Sequence, residues 1–278
     1  MKTLTILETG PLATIQDIGR SGQASLGIPT SGACDRASYA LANRLVGNHD
    51  GAAAIEVTFG GLVLHADTDL TLAVTGAPCP GVPLNAPALI KAGQVLRFGP
   101  PRTGLRTYVA VRGGIDVPPV LGSRSTDLLS GLGPAPLTAG LTLPVGCSYA
   151  AMPGVDLAPV ADPPAGEVVV RVTSGPRRDW FTDAAWTTFT TQSYAVSSNS
   201  NRVGVRLDGK PIERARTGEL ASEGMTLGAV QIPPSGLPVI FLADHPVTGG
   251  YPVIAYLTDP EVNTCTQLRP GQPLRFTA

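Results

Sequence analysis

Asp244 and His245 stand side by side at the end of an apolar run, in the segment Ala243 to Pro252 (ADHPVTGGYP) of a 278-residue chain. A histidine next to a carboxylate can move protons near neutral pH. Neighbours on a strand point to opposite faces, so the two act as a mutual pair only where the strand has ended; His245 otherwise reads as a turn-stabilising residue. Upstream, Ser197 to Arg206 (SSNSNRVGVR) places Asn199, Ser200 and Asn201 before Arg202. An Asn amide carries donors and an acceptor and suits an amide or urea-like group, while an Arg fork suits a carboxylate. A capped hairpin turn accounts for the same residues. A third polar cluster lies near the start of the chain, in Thr14 to Arg20 (TIQDIGR) and Pro29 to Arg36 (PTSGACDR). Asp17 and Arg20 can form a local ion pair. Ser31 and Asp35 sit at the start of an expected helix, whose free N–H groups favour an anion; a turn and a helix N-cap explain them equally.

Other chemistries are excluded by residue type and spacing. A phosphate-binding loop of the GxxxxGK[ST] type needs a Lys followed by a hydroxyl, yet Lys91 precedes Ala92 and Lys210 precedes Pro211. No GxSxG nucleophile elbow occurs, and no Lys lies in a Ser-rich context that would suggest a Ser-Lys amidase. Neither Lys91 nor Lys210 follows a Met, so any carried biotin would belong to another chain. The three histidines, His49, His65 and His245, are too dispersed for a HExxH site. Cys34, Cys79, Cys147 and Cys265 contain no CxxC pair, so no metal site is expected and buried free thiols in a reducing cytosol are.

The elements that must position these residues are short strands. Period-two alternation recurs in Asp69 to Gly76, Gln94 to Phe98, Leu105 to Arg112, Glu167 to Thr173, Arg202 to Asp208, Pro238 to Leu242, Val253 to Leu257 and Pro273 to Phe276. Most are bounded by Gly or Pro, which fits a barrel or sandwich better than βαβ units. Two helices are expected. Asp35 caps one, with Ala37, Ala40, Leu41 and Leu45 on a single face and Gly47 as its stop; the other spans Trp180 to Phe189, with Trp180, Phe181, Trp186 and Phe189 as core anchors. Met152 to Gly166 (MPGVDLAPVADPPAG) has no periodicity and reads as a linker over 152–166 between an N-terminal β lobe, 1–151, and a C-terminal barrel lobe, 167–278. Gly93 to Phe98 (GQVLRF) and Gly271 to Phe276 (GQPLRF) echo each other as two similar strand entries.

Composition agrees. The 33 Gly and 27 Pro rule out an all-helical protein, and 43 % apolar residues argue for a packed core. A net charge of −1, with both signs dispersed, gives no footprint for nucleic acid or anionic lipid. The apolar run before Glu8 is too short for a secretory signal, and no stretch is long enough to span a membrane, so a cytoplasmic protein is expected.

The segments TIQDIGR, PTSGACDR, AAAIEVTFGG, YVAVRGGIDVPPVLGSRSTD, SNRVGVRL, LASEGMTLGAVQIPPSG and ADHPVTGGYPVIA together resemble the KipA-like family. Its members are called the C component of 5-oxoprolinase or allophanate hydrolase subunit 2, and they are similar to the second half of the carboxyltransferase portion of urea carboxylase. The resemblance runs from about Thr14 to Phe276. It implies a mainly β fold with cyclophilin-like β-barrel architecture in two lobes and one or two short helices. It also implies a KipI-like partner (the B component of 5-oxoprolinase, or allophanate hydrolase subunit 1), with a LamB/YcsF-type subunit, opening 5-oxoproline to glutamate with ATP as co-substrate. Two alternatives come with it: a carboxyltransferase moving CO2 from carboxybiotin, held in trans, to urea or a related amide, and a non-catalytic antagonist of a KipI-like kinase inhibitor. Carried over residue by residue, it makes Asn201, Asp244 and His245 candidate catalytic residues. Asn201, Arg202, Thr248, Gly249, Gly250, Tyr251, Ser31, Asp35, Asp17, Arg20 and Glu223 become candidates for holding the substrate. This chain departs from many relatives at Val203, where they have Met, and within His245-Pro246-Val247, where they have Gln-Thr.

Overall fold

A computed structural model describes residues 2–216 and 218–278. The chain divides into two compact units: Met1–Arg20 with Ser31–Pro163, and Ser21–Thr30 with Pro164–Ala278.

The first unit contains β1 (Lys2–Thr9), β2 (Leu12–Gln16), α1 (Arg36–Leu45), β3 (Ala54–Thr58), β4 (Leu62–Ala66), β5 (Leu70–Gly76), β6 (Pro87–Ile90), β7 (Val95–Arg97), β8 (Arg106–Val111) and β9 (Thr142–Val145). These form two antiparallel sheets, in the orders β7-β4-β1-β9 and β2-β3-β8-β5-β6. One core joins side chains of both, among them Leu4, Ile6, Ile55, Leu64, Leu72 and Val109. In β8 every residue is buried, because α1 covers the sheet's other face with Tyr39, Ala42 and Leu45 against Ala73, Tyr108 and Ala110. The buried stripe of α1 is therefore rotated from the expected one: Ala37 is exposed and Ala40 and Leu41 are half-buried. Polar reach explains the shift, since the Tyr39 hydroxyl and the Asn43 amide both donate to the Ala52 carbonyl.

The second unit contains β10 (Val168–Ser174), α2 (Asp183–Thr191), β11 (Ser193–Val196), β12 (Gly204–Asp208), β13 (Glu223–Gly224), β14 (Ala229–Gln231), β15 (Val239–Phe241), β16 (Thr248–Gly249), β17 (Val253–Leu257), α3 (Asp259–Thr266) and β18 (Pro273–Thr277). Seven strands close a barrel in the order β10-β17-β14-β15-β12-β11-β18, sealed by parallel pairing of β10 with β18. Alternation does the sorting. Val168, Val170 and Val172 of β10 point inward while Val169, Arg171 and Thr173 do not, and each such valine contributes about 1.5–3 kcal/mol by leaving water. Trp180, Phe181 and Phe189 are buried, and Phe189 stacks on Phe276 with centroids 4.4 Å apart. α3 is a third helix beyond the two expected, made of β-branched and small polar residues that carry little helical signal.

The two sequence echoes are the same turn built twice. Gln94 accepts from the Lys91 N–H and Gln272 from the Arg269 N–H, each following a glycine at positive φ, Gly93 at 84° and Gly271 at 81°. Cys34, Cys79 and Cys265 are buried as expected, whereas Cys147 is exposed. Among the described residues no helix is long and apolar enough to cross a membrane, and no group of His, Cys, Asp and Glu could hold a metal ion.

Candidate functional site

In the barrel unit, β15 ends at Phe241, so the Asp244-His245 pair lies in a turn rather than on a strand. The two side chains engage different partners. Asp244 grips Arg202 at two points, Nε to Oδ2 at 2.9 Å and Nη2 to Oδ1 at 3.0 Å, with both side chains shut from water. His245 lays its ring on Phe241, with centroids 6.0 Å apart, and sets Nδ1 2.8 Å from its neighbour's carbonyl at Pro246. Backbone bonds from Leu242 to Val203 and from Asp244 to Arg202 hold the two polar segments together. The Arg202 fork is thus filled by a carboxylate of this chain.

Asn201 uses its side-chain oxygen to accept from the Val203 N–H at 2.8 Å and the Gly204 N–H at 3.3 Å. That caps the turn into β12 and leaves the exposed amide NH2 as the half able to donate outward. β16 pairs with β13 so that Glu223 faces Gly249. The Glu223 carboxylate takes the Arg177 guanidinium through both Nε and Nη2. Gly249 has a packing reason: a Cβ there would stand 2.9 Å from Gln231 Nε2 and 3.3 Å from Met225 Sδ. Gln231 in turn donates to the Tyr251 carbonyl, and Tyr251 is 44 % exposed.

In the first unit, Asp17 is the hub. Its Oδ1 accepts from Gly19 N–H at 2.8 Å and from the Ser123 and Ser125 hydroxyls at 2.6 Å each, and Oδ2 accepts from Arg124 N–H. Arg20 is also buried, donating to the Ser125 carbonyl and lying 3.7 Å from Asp127 Oδ2. The anticipated local Asp17–Arg20 ion pair is thus replaced by two separate attachments to the segment 123–127. Ser31, at φ 55°, donates to the Thr126 carbonyl. Asp35 is the N-cap of α1, accepting from Ser38 N–H at 3.0 Å. Behind it, the buried Glu56 carboxylate accepts from Cys34 N–H and the Tyr108 hydroxyl, which itself accepts from Asp35 N–H. Burial, reinforced by the Glu56 charge, pushes the Tyr108 hydroxyl well above its ordinary pKa, so it stays a neutral donor.

Sequence reasoning placed Asp17, Arg20, Ser31 and Asp35 together but did not single out Ser123, Ser125, Asp127, Glu56, Tyr108 or Arg177. The Ser-x-Ser-Thr-Asp spacing of Ser123 to Asp127 was the available signal, since such a run offers hydroxyls to one carboxylate.

This geometry can be set beside known proteins. Residues 26–278 match the family model described as carboxyltransferase domain, subdomain A and B. The chain belongs to the carboxyltransferase A and B subdomain family. It is 38 % identical to the C component of the Escherichia coli 5-oxoprolinase over 98 % of this chain and 90 % of that protein. It is 34 % identical to the urea amidolyase of Lachancea kluyveri over 98 % of this chain but only 16 % of that protein. The crystal structure of TTHA0988 superimposes with a TM-score of 0.90 at 36 % identity, covering 100 % of this chain; the chain spans 56 % of that longer polypeptide. The mostly β architecture with its seven-stranded barrel is that of these carboxyltransferase-type domains.

Proposed function

We propose that this chain is the C component of an ATP-dependent 5-oxoprolinase, opening the 5-oxoproline lactam to glutamate together with a KipI-like subunit and a LamB/YcsF-type subunit. The observation that carries the proposal is co-extension: the chain matches 90 % of a protein named as the C component of 5-oxoprolinase, whereas it matches 16 % of a urea amidolyase. In this reading the Asn201 amide NH2 donates to the lactam carbonyl. The Arg202–Asp244 pair fixes the turn that presents His245, and Thr248 to Tyr251 shape the wall beside it. ATP is a co-substrate of the complex; this chain carries no familiar phosphate loop of its own.

The reading is tested by purifying the complex and following ATP-dependent glutamate release from 5-oxoproline. Activity that requires this chain, and that falls on Asn201→Ala, is expected. A complex that leaves 5-oxoproline intact in the presence of ATP would overturn it. The 34 % identity to a urea amidolyase over 98 % of this chain favours a second reading, transfer of a carboxyl group to urea or a related amide. That reaction needs biotin on another chain, and carboxylation of urea by a reconstituted mixture containing a biotin carrier would select it.

A further inference from the structure

Along β14, β15 and β17, Val230, Ile240 and Ile254 turn into the barrel core, while Ala229, Phe241 and Val253 turn away from it into a separate apolar cluster. Met225 completes that cluster. It follows β13 directly, donates its N–H to the Val247 carbonyl at 2.8 Å, and is 7 % exposed. Gly249 of β16 packs against it, since a Cβ there would stand 3.2 Å from Met225 Cγ. β13 and β16 pair with each other and with none of the seven barrel strands. The ribbon they form is thus a flap on the outer barrel wall, seated by Met225.

Its other fastening is ionic. Arg177 stands in the segment after β10, whose backbone is fixed on β17 by bonds from Gly175 N–H to the Ile254 carbonyl, 2.8 Å, and from Arg177 N–H to the Val253 carbonyl, 3.1 Å. From that base its guanidinium holds the Glu223 carboxylate through both Nε and Nη2. The two side chains are 35 % and 25 % exposed, so water and salt reach this pair, unlike the sealed Arg202–Asp244 pair. The ribbon is continuous with the candidate site. Residues 245–251 run from His245, whose ring lies on Phe241 of the covered cluster, through β16 to Tyr251.

We infer that Arg177 is a positioning residue: through Glu223 it fixes the ribbon, and hence the place of the His245 to Tyr251 turn. Glu223 then answers to Arg177 rather than to substrate. A two-point fork suits the task, because it fixes direction as well as distance, where a single contact would leave the ribbon free to swing. The clasp stands on the contacts just given, while its effect on 5-oxoproline rests on the function proposed above.

The test begins with amide hydrogen exchange of the full chain, read by mass spectrometry. Arg177→Gln and Glu223→Gln should each speed exchange of residues 223–225 and 247–249 about fivefold, the upper range for a half-exposed pair, and leave β14 and β17 unchanged. Arg177→Lys, which keeps the charge but not the fork, should fall between. In the assembled complex both glutamine variants should raise KM for 5-oxoproline about threefold to tenfold with kcat little changed, and the double variant should add nothing to either single one. An unchanged ribbon, or exchange that rises equally throughout the barrel, overturns the clasp. A KM unmoved by Arg177→Gln, or effects that add in the double variant, overturns the positioning role. A parent complex that leaves 5-oxoproline intact removes the hydrolase reading, and the exchange result then decides the clasp alone.

Discussion

Asp244 closes on Arg202 with two charge-assisted hydrogen bonds, of 2.9 and 3.0 Å, inside a barrel wall where neither side chain meets water. The pair joins the turn before β12 to the turn after β15. Removing one partner strands the other's charge in a low-dielectric interior. Asp244→Ala should therefore cost about 3–5 kcal/mol of stability. Replacing both residues by apolar side chains of similar volume should recover much of that loss. Urea denaturation of the single and double variants checks this, and a double-variant loss equal to the sum of the two single losses would show that the pair is not a unit.

Asn201 separates into two halves with different duties. Asn201→Asp keeps the oxygen that caps Val203 and Gly204 and loses the outward donors. Its melting temperature should match that of the parent while kcat/KM of the assembled complex falls about tenfold to a hundredfold. Unchanged activity would confine Asn201 to capping the turn.

The Asp17 carboxylate holds the segment 123–125 by three side-chain or backbone donors besides its own Gly19 turn. Asp17→Asn turns an all-acceptor group into one that presents a donor to these donors, and should destabilise the first unit by about 2–4 kcal/mol. Ser123→Ala or Ser125→Ala should cost about 1 kcal/mol each, and their effects should shrink in the Asp17→Asn background without vanishing, since the two hydroxyls also accept from the Ser125 and Asp17 backbone N–H groups. Double-mutant cycles read by thermal unfolding give the answer.

Burial raises the Cys265 thiol pKa, so little reactive thiolate forms near neutrality, and raising the pH toward 9 should not expose it while the fold holds. Iodoacetamide should label the native chain at the exposed Cys147 and spare Cys34, Cys79 and Cys265. Peptide mass mapping of native against denatured protein checks this; rapid native labelling of Cys265 would show that α3 opens.

Part of the barrel was legible where inward and outward positions alternate, as in Val168 to Thr173, where one side meets the core and the other does not. β8 was legible as a strand but not as one buried on both faces, since α1 lies on its second side and leaves no trace in the local pattern. Asp35 was readable as a cap because a helix start is written in adjacent residues. The two-residue strands of Glu223–Gly224 and Thr248–Gly249 were not, for they exist only as a pair across the chain.

Composition, turn glycines and period-two runs by themselves determined a loop-rich β protein, and the quoted segments determined its family resemblance. Which polar residue answers which was decided by the tertiary structure. Arg202 meets a carboxylate 42 positions away, and Asp17 meets hydroxyls 106 and 108 positions away. Such pairs form because strand closure delivers both partners to one dry place, where an unpaired charge is costly and a matched one is held. Neither residue's neighbours in sequence carry that information.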